Sequence, residues 1–168
     1  DPAHPHPGLL RRGNNDPILR WSAPDVDDLP DWDRALFDHV SNDGNRYEQA
    51  TPIAFSRGFC PFSCTFCGVD AYRRLHNQPQ RGASKLRSVD RVMDELLHAS
   101  KQHLNPYGFA AWDEVLPSKR AWLEHFFTRY KAEIGQPFAV QLRIEQVTEK
   151  TVHILAAGGC DYVVIGVE

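Results

Sequence analysis

The sequence predicts an α/β domain in which parallel strands alternate with helices. Three observations lead there. From Thr51 onward, a short strand-like segment, a loop and a helix-period apolar stripe follow one another, and four strand-like segments are visible in all. Charged residues stand directly after those segments, where the strand ends of a parallel sheet gather chemistry. Three of the four cysteines are bunched within eight residues, in the loop after the first strand-like segment.

The elements follow in order. Residues 1–50 are rich in Pro, Asp, Asn and Gly and read as linker and loop that adds little to the core. His4 and His6 flank Pro5 and read as solvated tail, and Asp25 to Asp38 is an acidic, proline-punctuated approach. Thr51 to Arg57 is an extended segment in which Pro52 fits only the beginning or a sheet edge. Ser88 caps a helix whose apolar residues Val89, Val92, Met93, Leu96 and Leu97 run to about Leu104. Tyr107 to Trp112 is the second strand, with Asp113 and Glu114 at its C-terminal end. A helix starting near Pro117 and Ser118 buries Trp122, Phe126, Tyr130 and Ile134 and stops at Gly135. Phe138 to Ile144 alternates as a strand, with Phe138, Val140, Leu142 and Ile144 on an apolar face and Ala139, Gln141 and Arg143 opposite. Thr148 to Ala157 is a third helix ended by Gly158 and Gly159, and Tyr162 to Val167 is an apolar strand of the buried parallel kind. Right-handed connection of these units gives an open sheet or barrel. Its C-terminal rim then carries Arg57 and the cysteines, Asp113, Glu114, Arg143 and Glu168.

Composition bounds the function. The chain has 168 residues, a net charge of −3 and a pI near 6.2, so no basic surplus supports a nucleic acid or anionic membrane partner. It has no apolar run of membrane-spanning length and no signal-peptide pattern, which predicts a cytoplasmic protein. Beginning at Asp1 and stopping at Glu168 after an apolar run, it reads as an internal fragment.

Cys60, Cys64 and Cys67 form a C-x3-C-x2-C run. Three thiolates hold three corners of a four-iron cluster and leave one iron open to a further ligand, whereas structural zinc wants a complete tetrahedron. Cys160 precedes the last strand, belongs at the opposite rim and reads as a structural thiol. His76, His98, His103, His125 and His153 share no ligand spacing.

The cysteine spacing and Phe66 resemble the radical S-adenosylmethionine superfamily. Residues 51–168 are similar to the first four βα units of its partial (β/α)6 TIM-like barrel, with an irregular N-terminal linker before them. Arg57-Gly58, Arg87-Ser88, Asp113-Glu114 and Ala-Gly-Gly-Cys before Val-Val-Ile-Gly-Val-Glu resemble the cobalamin-dependent branch. Gly8 to Arg12 and Asp27 to Asp31 are similar to the last strand and linker of that branch's cobalamin-binding domain, which would lie before Asp1. Phe59 stands between Gly58 and Cys60, where the branch usually places the first cysteine directly after Arg-Gly.

The resemblance implies a [4Fe-4S] cluster on Cys60, Cys64 and Cys67 that binds S-adenosylmethionine at its open iron and cleaves it reductively to a 5'-deoxyadenosyl radical. Phe66 would lie near the adenine or shield the cluster. Asp113 or Glu114 would meet the methionine ammonium, Arg143 its carboxylate, and Glu168 the ribose hydroxyls. The implied activity is cobalamin-dependent methyl transfer to a small-molecule or peptide substrate, with flavodoxin or ferredoxin as electron donor. The fragment alone is expected to turn over little. Ring closure or rearrangement within the same branch, and methylthiotransfer, are alternatives, although no cysteine precedes Cys60 as methylthiotransferases usually require. A structural zinc module is the reading outside enzymes.

Overall fold

A computed structural model describes residues 25–34, 44–56, 60–69, 71, 86–102 and 105–167. Its core is a four-stranded, all-parallel sheet in the sequential order β1 to β4, formed by Thr51–Ile53, Phe109–Ala111, Phe138–Arg143 and Cys160–Gly166. A short helix α1 (Arg46–Gln49) precedes β1, and α2 (Val89–Gln102), α3 (Arg120–Glu133) and α4 (Glu149–Ala157) lead into β2, β3 and β4. Sequential strand order with one helix per crossover is the arrangement of a partial TIM-like barrel.

Both faces of the sheet carry packed side chains. On one side Ile53, Phe55, Phe109, Phe138, Val140 and Leu142 pack against the helices. Phe138 sits 4.8 Å from the Tyr130 ring and 5.6 Å from those of Phe126 and Phe127 on α3. On the other side Ala110 pairs in register with Ala139, and Ala139 with Tyr162. These small side chains leave room for α1, whose Tyr47 and the adjoining Ala50 pack over them.

Residues before β1 contribute more than the expected linker. Val26 and Arg34 are buried, and the 25–34 segment straps the start of α2. Asp27 accepts from the backbone N–H of Ser88 at 2.9 Å, and Arg91 donates to the Leu29 carbonyl at 2.8 Å. Glu95 lies under this strap at 1% exposure, held by Arg34 and Arg87 at 2.7 Å each. The same guanidinium groups donate to the Pro52 and Ala54 carbonyls of the β1 segment, at 3.3 and 2.9 Å. Pro52 is tolerated because β1 is an edge strand among the described residues, one of the two placements its sequence allowed.

Several element ends move from their predicted places. β2 starts at Phe109 because Tyr107 is in a turn: its N–H binds the Asn105 side chain, and Gly108 takes φ +65°. α3 starts at Arg120 because the preceding segment is held extended, with the Leu116 carbonyl accepting from Gln146 at 2.6 Å. Its buried stripe is Leu123, Phe126, Phe127 and Tyr130, and Trp122 and Ile134 are only half-buried. Ile144 leaves β3 for a 3-10 turn (Ile144–Gln146) and is exposed. β4 is not buried as expected: Val163 and Ile165 are 40% and 43% exposed, because β4 has a single strand neighbour among the described residues. Ser88 caps α2 as predicted, its hydroxyl accepting from the Arg91 N–H at 3.2 Å, and Thr148 caps α4 in the same way. The predicted end of the first helix at Leu104 and the polar rim residues Arg57 and Glu168 lie outside the described residues.

Gly108 is where three strands start together. Its carbonyl accepts from Thr51 N–H at 2.9 Å, and the neighbouring Phe109 N–H donates to Pro137 at 3.0 Å. A methyl group on Gly108 would overlap the Pro137 carbonyl, in a backbone conformation that L residues already disfavour. Gly108→Ala is expected to lower stability by about 2–4 kcal/mol, from left-handed strain plus overpacking. Urea denaturation followed by far-UV circular dichroism checks this, and an unchanged midpoint would exclude it.

Candidate functional site

The cysteine loop leaves the β1 segment at the C-terminal ends of the strands. Cys60 and Cys64 are half-buried and Cys67 is exposed, and none of the three is in a disulfide. A tight turn closes the motif, with the Cys67 N–H donating to the Cys64 carbonyl at 3.1 Å. Among the described residues, no group of three His, Cys, Asp or Glu side chains converges as a ready-made metal site. The donor set nevertheless suits an iron-sulfur cluster: three thiols outside any disulfide on one loop, with a cationic hydrogen-bond donor beside one sulfur. Phe66 is 72% exposed beside them.

The ends of β2 and β3 reach this loop through Asp113 and Arg143. Asp113 is buried and accepts from the Phe55 N–H at 2.8 Å, the Ser56 N–H at 2.7 Å and the Ser56 hydroxyl at 2.5 Å. Its carboxylate is therefore committed to the backbone from which the cysteine loop departs. Glu114 is exposed and lines a cleft of about 420 Å³ together with Tyr47, Glu48, Trp112, Asp113 and Gln141. Of the two acids expected near an ammonium, Glu114 is the one turned to open space. Tyr47 floors the cleft, its hydroxyl donating to the Ala111 carbonyl at 2.5 Å and its ring stacking on Trp112 at 6.3 Å.

Arg143 ends β3 with its guanidinium 4.3 Å from the centre of the Phe62 ring. Nη1 donates to Cys64 Sγ at 3.0 Å, while Nε and Nη2 bind Glu145 at 3.1 and 2.8 Å. These hydrogen bonds, with Glu145 foremost, hold the guanidinium even more firmly protonated than usual. The contact with Cys64 was not foreseen. The alternation of β3 placed Arg143 on the polar face, but its reach across to the cysteine loop depends on the sheet order. Cys160 opens β4 at the opposite strand end, as expected of a structural thiol, and burial pushes it up to about 11.

Burial raises Asp113 from its ordinary 3.8 to about 6, against the opposing hydrogen bonds from Phe55 and Ser56. The folded chain thus binds this proton more tightly than the unfolded chain. The resulting stability is fully present below about pH 4 and is lost as pH rises through about 6, with a ceiling of ~3 kcal/mol. The difference in urea midpoint between wild type and Asp113→Asn should change across that window and level off above it. A flat difference profile would rule out the raised value.

No protein-family model matches the chain, and no curated protein matches it. Solved structures do match its fold. A structure of the radical S-adenosylmethionine methyltransferase TsrM from Kitasatospora setae, with tryptophan substrate and aza-SAM bound, has a TM-score of 0.54 and 20% identity over 72% of this chain. A second TsrM structure, with cobalamin and a [4Fe-4S] cluster bound, has a TM-score of 0.54 and 20% identity over 71% of the chain. The chain spans about a fifth of the length of these proteins, 22% and 21%. Its four parallel strands and the helices between them have the fold of a partial TIM-like barrel, which these structures share. No helix among the described residues is long and apolar enough to cross a membrane.

Proposed function

We propose that this chain is the first part of the catalytic domain of a radical S-adenosylmethionine enzyme, residues 51–168, preceded by a segment over residues 1–50 whose 25–34 stretch and α1 pack onto that domain. The observation that carries the reading is the C-x3-C-x2-C loop leaving the first strand of a sequentially ordered parallel sheet. Cys60, Cys64 and Cys67 would hold a [4Fe-4S] cluster. When bound, the cluster supplies the electron that cleaves a carbon–sulfur bond of S-adenosylmethionine.

The chain's own residues have defined parts in this reading. Asp113 fixes the backbone before the cysteine loop through its three hydrogen bonds to Phe55 and Ser56. Glu114, facing the cleft, is the acid suited to an ammonium group, and Gln141 adds a neutral polar contact there. Phe66 is free to cover an adenine or the cluster itself. Ligand loops of metal sites commonly complete their geometry only on loading, which accounts for three thiols that do not yet converge.

Cobalamin-dependent methyl transfer is the finer proposal, with cobalamin held by a domain preceding that segment and a small molecule or peptide as acceptor. It is supported by the sequence features shared with that branch and by the likeness to TsrM, whose structures contain cobalamin and tryptophan.

The test is anaerobic reconstitution of the chain with ferrous iron and sulfide. Uptake of about four irons per chain, with brown absorbance that changes on adding S-adenosylmethionine, is the expected result. One tightly held zinc with no brown absorbance would sink the enzyme reading in favour of a structural module.

A further inference from the structure

We infer that Arg143 is a positioning residue for the cysteine loop, fixing Cys64 at the rim and biasing a bound cluster toward its reduced state. The inference rests on the proposed function, since it concerns a cluster on Cys60, Cys64 and Cys67. Its basis is the number of constraints on one guanidinium. Glu145 takes Nε and Nη2, Phe62 supports the flat face at 4.3 Å, and Nη1 is left aimed at Cys64 Sγ at 3.0 Å. The side chain is only 15% exposed.

The anchor beneath it is stiff. β3 lies inside the sheet with a strand on either side, and its last residue is braced where the Arg143 N–H donates to Gln146 Oε1 at 3.1 Å. Gln146 in turn donates to the Leu116 carbonyl at 2.6 Å. Arg143 therefore transmits the position of an interior strand to the loop that follows β1. Phe62 and Cys64 belong to that loop, so the guanidinium grips it twice, once by a ring face and once by a sulfur.

The electronic consequence follows from charge. Reduction adds one electron, from a low-potential flavin or iron-sulfur donor, and makes or breaks no bond. The product carries one more negative charge than the oxidised cluster. A guanidinium cannot lose its proton in the working range, so its positive charge stands permanently beside one ligand sulfur and favours the reduced form. Hydrogen bonds to cluster sulfurs act in the same direction.

The experiment is an anaerobic redox titration of the reconstituted chain followed by electron paramagnetic resonance, with iron content and hydrogen exchange of residues 60–67 measured in parallel. Arg143→Gln should retain iron but show a reduced fraction about tenfold lower at a given potential, a fall of about 59 mV for one electron. Its 60–67 amides should exchange faster than those of the wild type. Arg143→Lys keeps the charge without the fork and should fall less in potential while losing the exchange protection. A midpoint for Arg143→Gln equal to that of the wild type would overturn the inference and leave the proposed function intact. Should Arg143→Gln fail to hold iron, Arg143→Lys decides: wild-type midpoint and wild-type exchange together overturn it. A wild-type chain that takes up no cluster would overturn the proposed function, and this inference with it.

Discussion

Replacing Glu95 with alanine is expected to cost about 3–5 kcal/mol, because it leaves two buried guanidinium groups facing each other without their shared carboxylate. Arg34 and Arg87 each expose only 7% of their side chains, and Glu95 only 1%. Typical domains have only about 5–15 kcal/mol of stability in total, so this loss would unfold a large share of molecules at ordinary temperature. Glu95→Gln should recover little. Its amide offers one acceptor and one donor, and the donor must face an arginine. Replacing all three residues with apolar side chains removes the charge problem but strands the Pro52 and Ala54 carbonyls that the arginines bind. The triple variant is therefore expected between the wild type and Glu95→Ala in urea midpoint. A Glu95→Ala chain that unfolds within about 1 kcal/mol of the wild type would show that the triad contributes no more than a surface pair.

Removal of a single thiol at Cys60, Cys64 or Cys67 is expected to abolish cluster retention. Two remaining thiolates cannot hold the corners of a four-iron cube, and no other cysteine lies on this loop. Each alanine variant, reconstituted and desalted without oxygen, should retain well under one iron per chain, against about four in the wild type. Cys160→Ala is the control. It sits at the start of β4, away from the loop, and should keep both iron and colour. Equal iron in Cys64→Ala and the wild type would remove Cys64 from the ligand set, and with it the spacing argument. These variants should fold normally, because Cys60 and Cys64 are only half-buried and Cys67 is exposed.

Periodicity carried the sequence reading as far as local order reaches. Alternation along β3 and the apolar stripe of α2 are short-range patterns, and both came out as read except at their margins, where Ile144 leaves the strand and Leu97 is only half-buried. Where backbone geometry intervened, at Gly108 and before Arg120, the predicted ends were too early. The role of the 25–34 segment was out of reach for another reason: Arg34 meets its partner Glu95 61 positions later, and no periodic pattern records such a pairing. A signal was present all the same. Glu95 falls within the buried arc of α2, between Met93 and Leu96, where a carboxylate requires a cationic partner. At the site, the cysteine spacing singled out the loop, but Asp113 looked like a free acid because its bonds to Phe55 and Ser56 form only when β1 and β2 lie side by side.

The two edges of the sheet are unequal in their capacity to act as templates. On β1, the outward carbonyls of Pro52 and Ala54 are occupied by guanidinium groups, and Pro52 offers no N–H at all. Just beyond it, Ser56 is bridged to Leu86. An incoming strand would find both of these carbonyls already engaged and no N–H at Pro52. β4 presents seven residues in extended form, with exposed apolar side chains at Val163 and Ile165 and one strand neighbour among the described residues. Strand addition to the described sheet is thus directional: β4, rather than β1, offers the edge on which an extended segment, whether a further strand of the same protein or a misfolded neighbour, would nucleate.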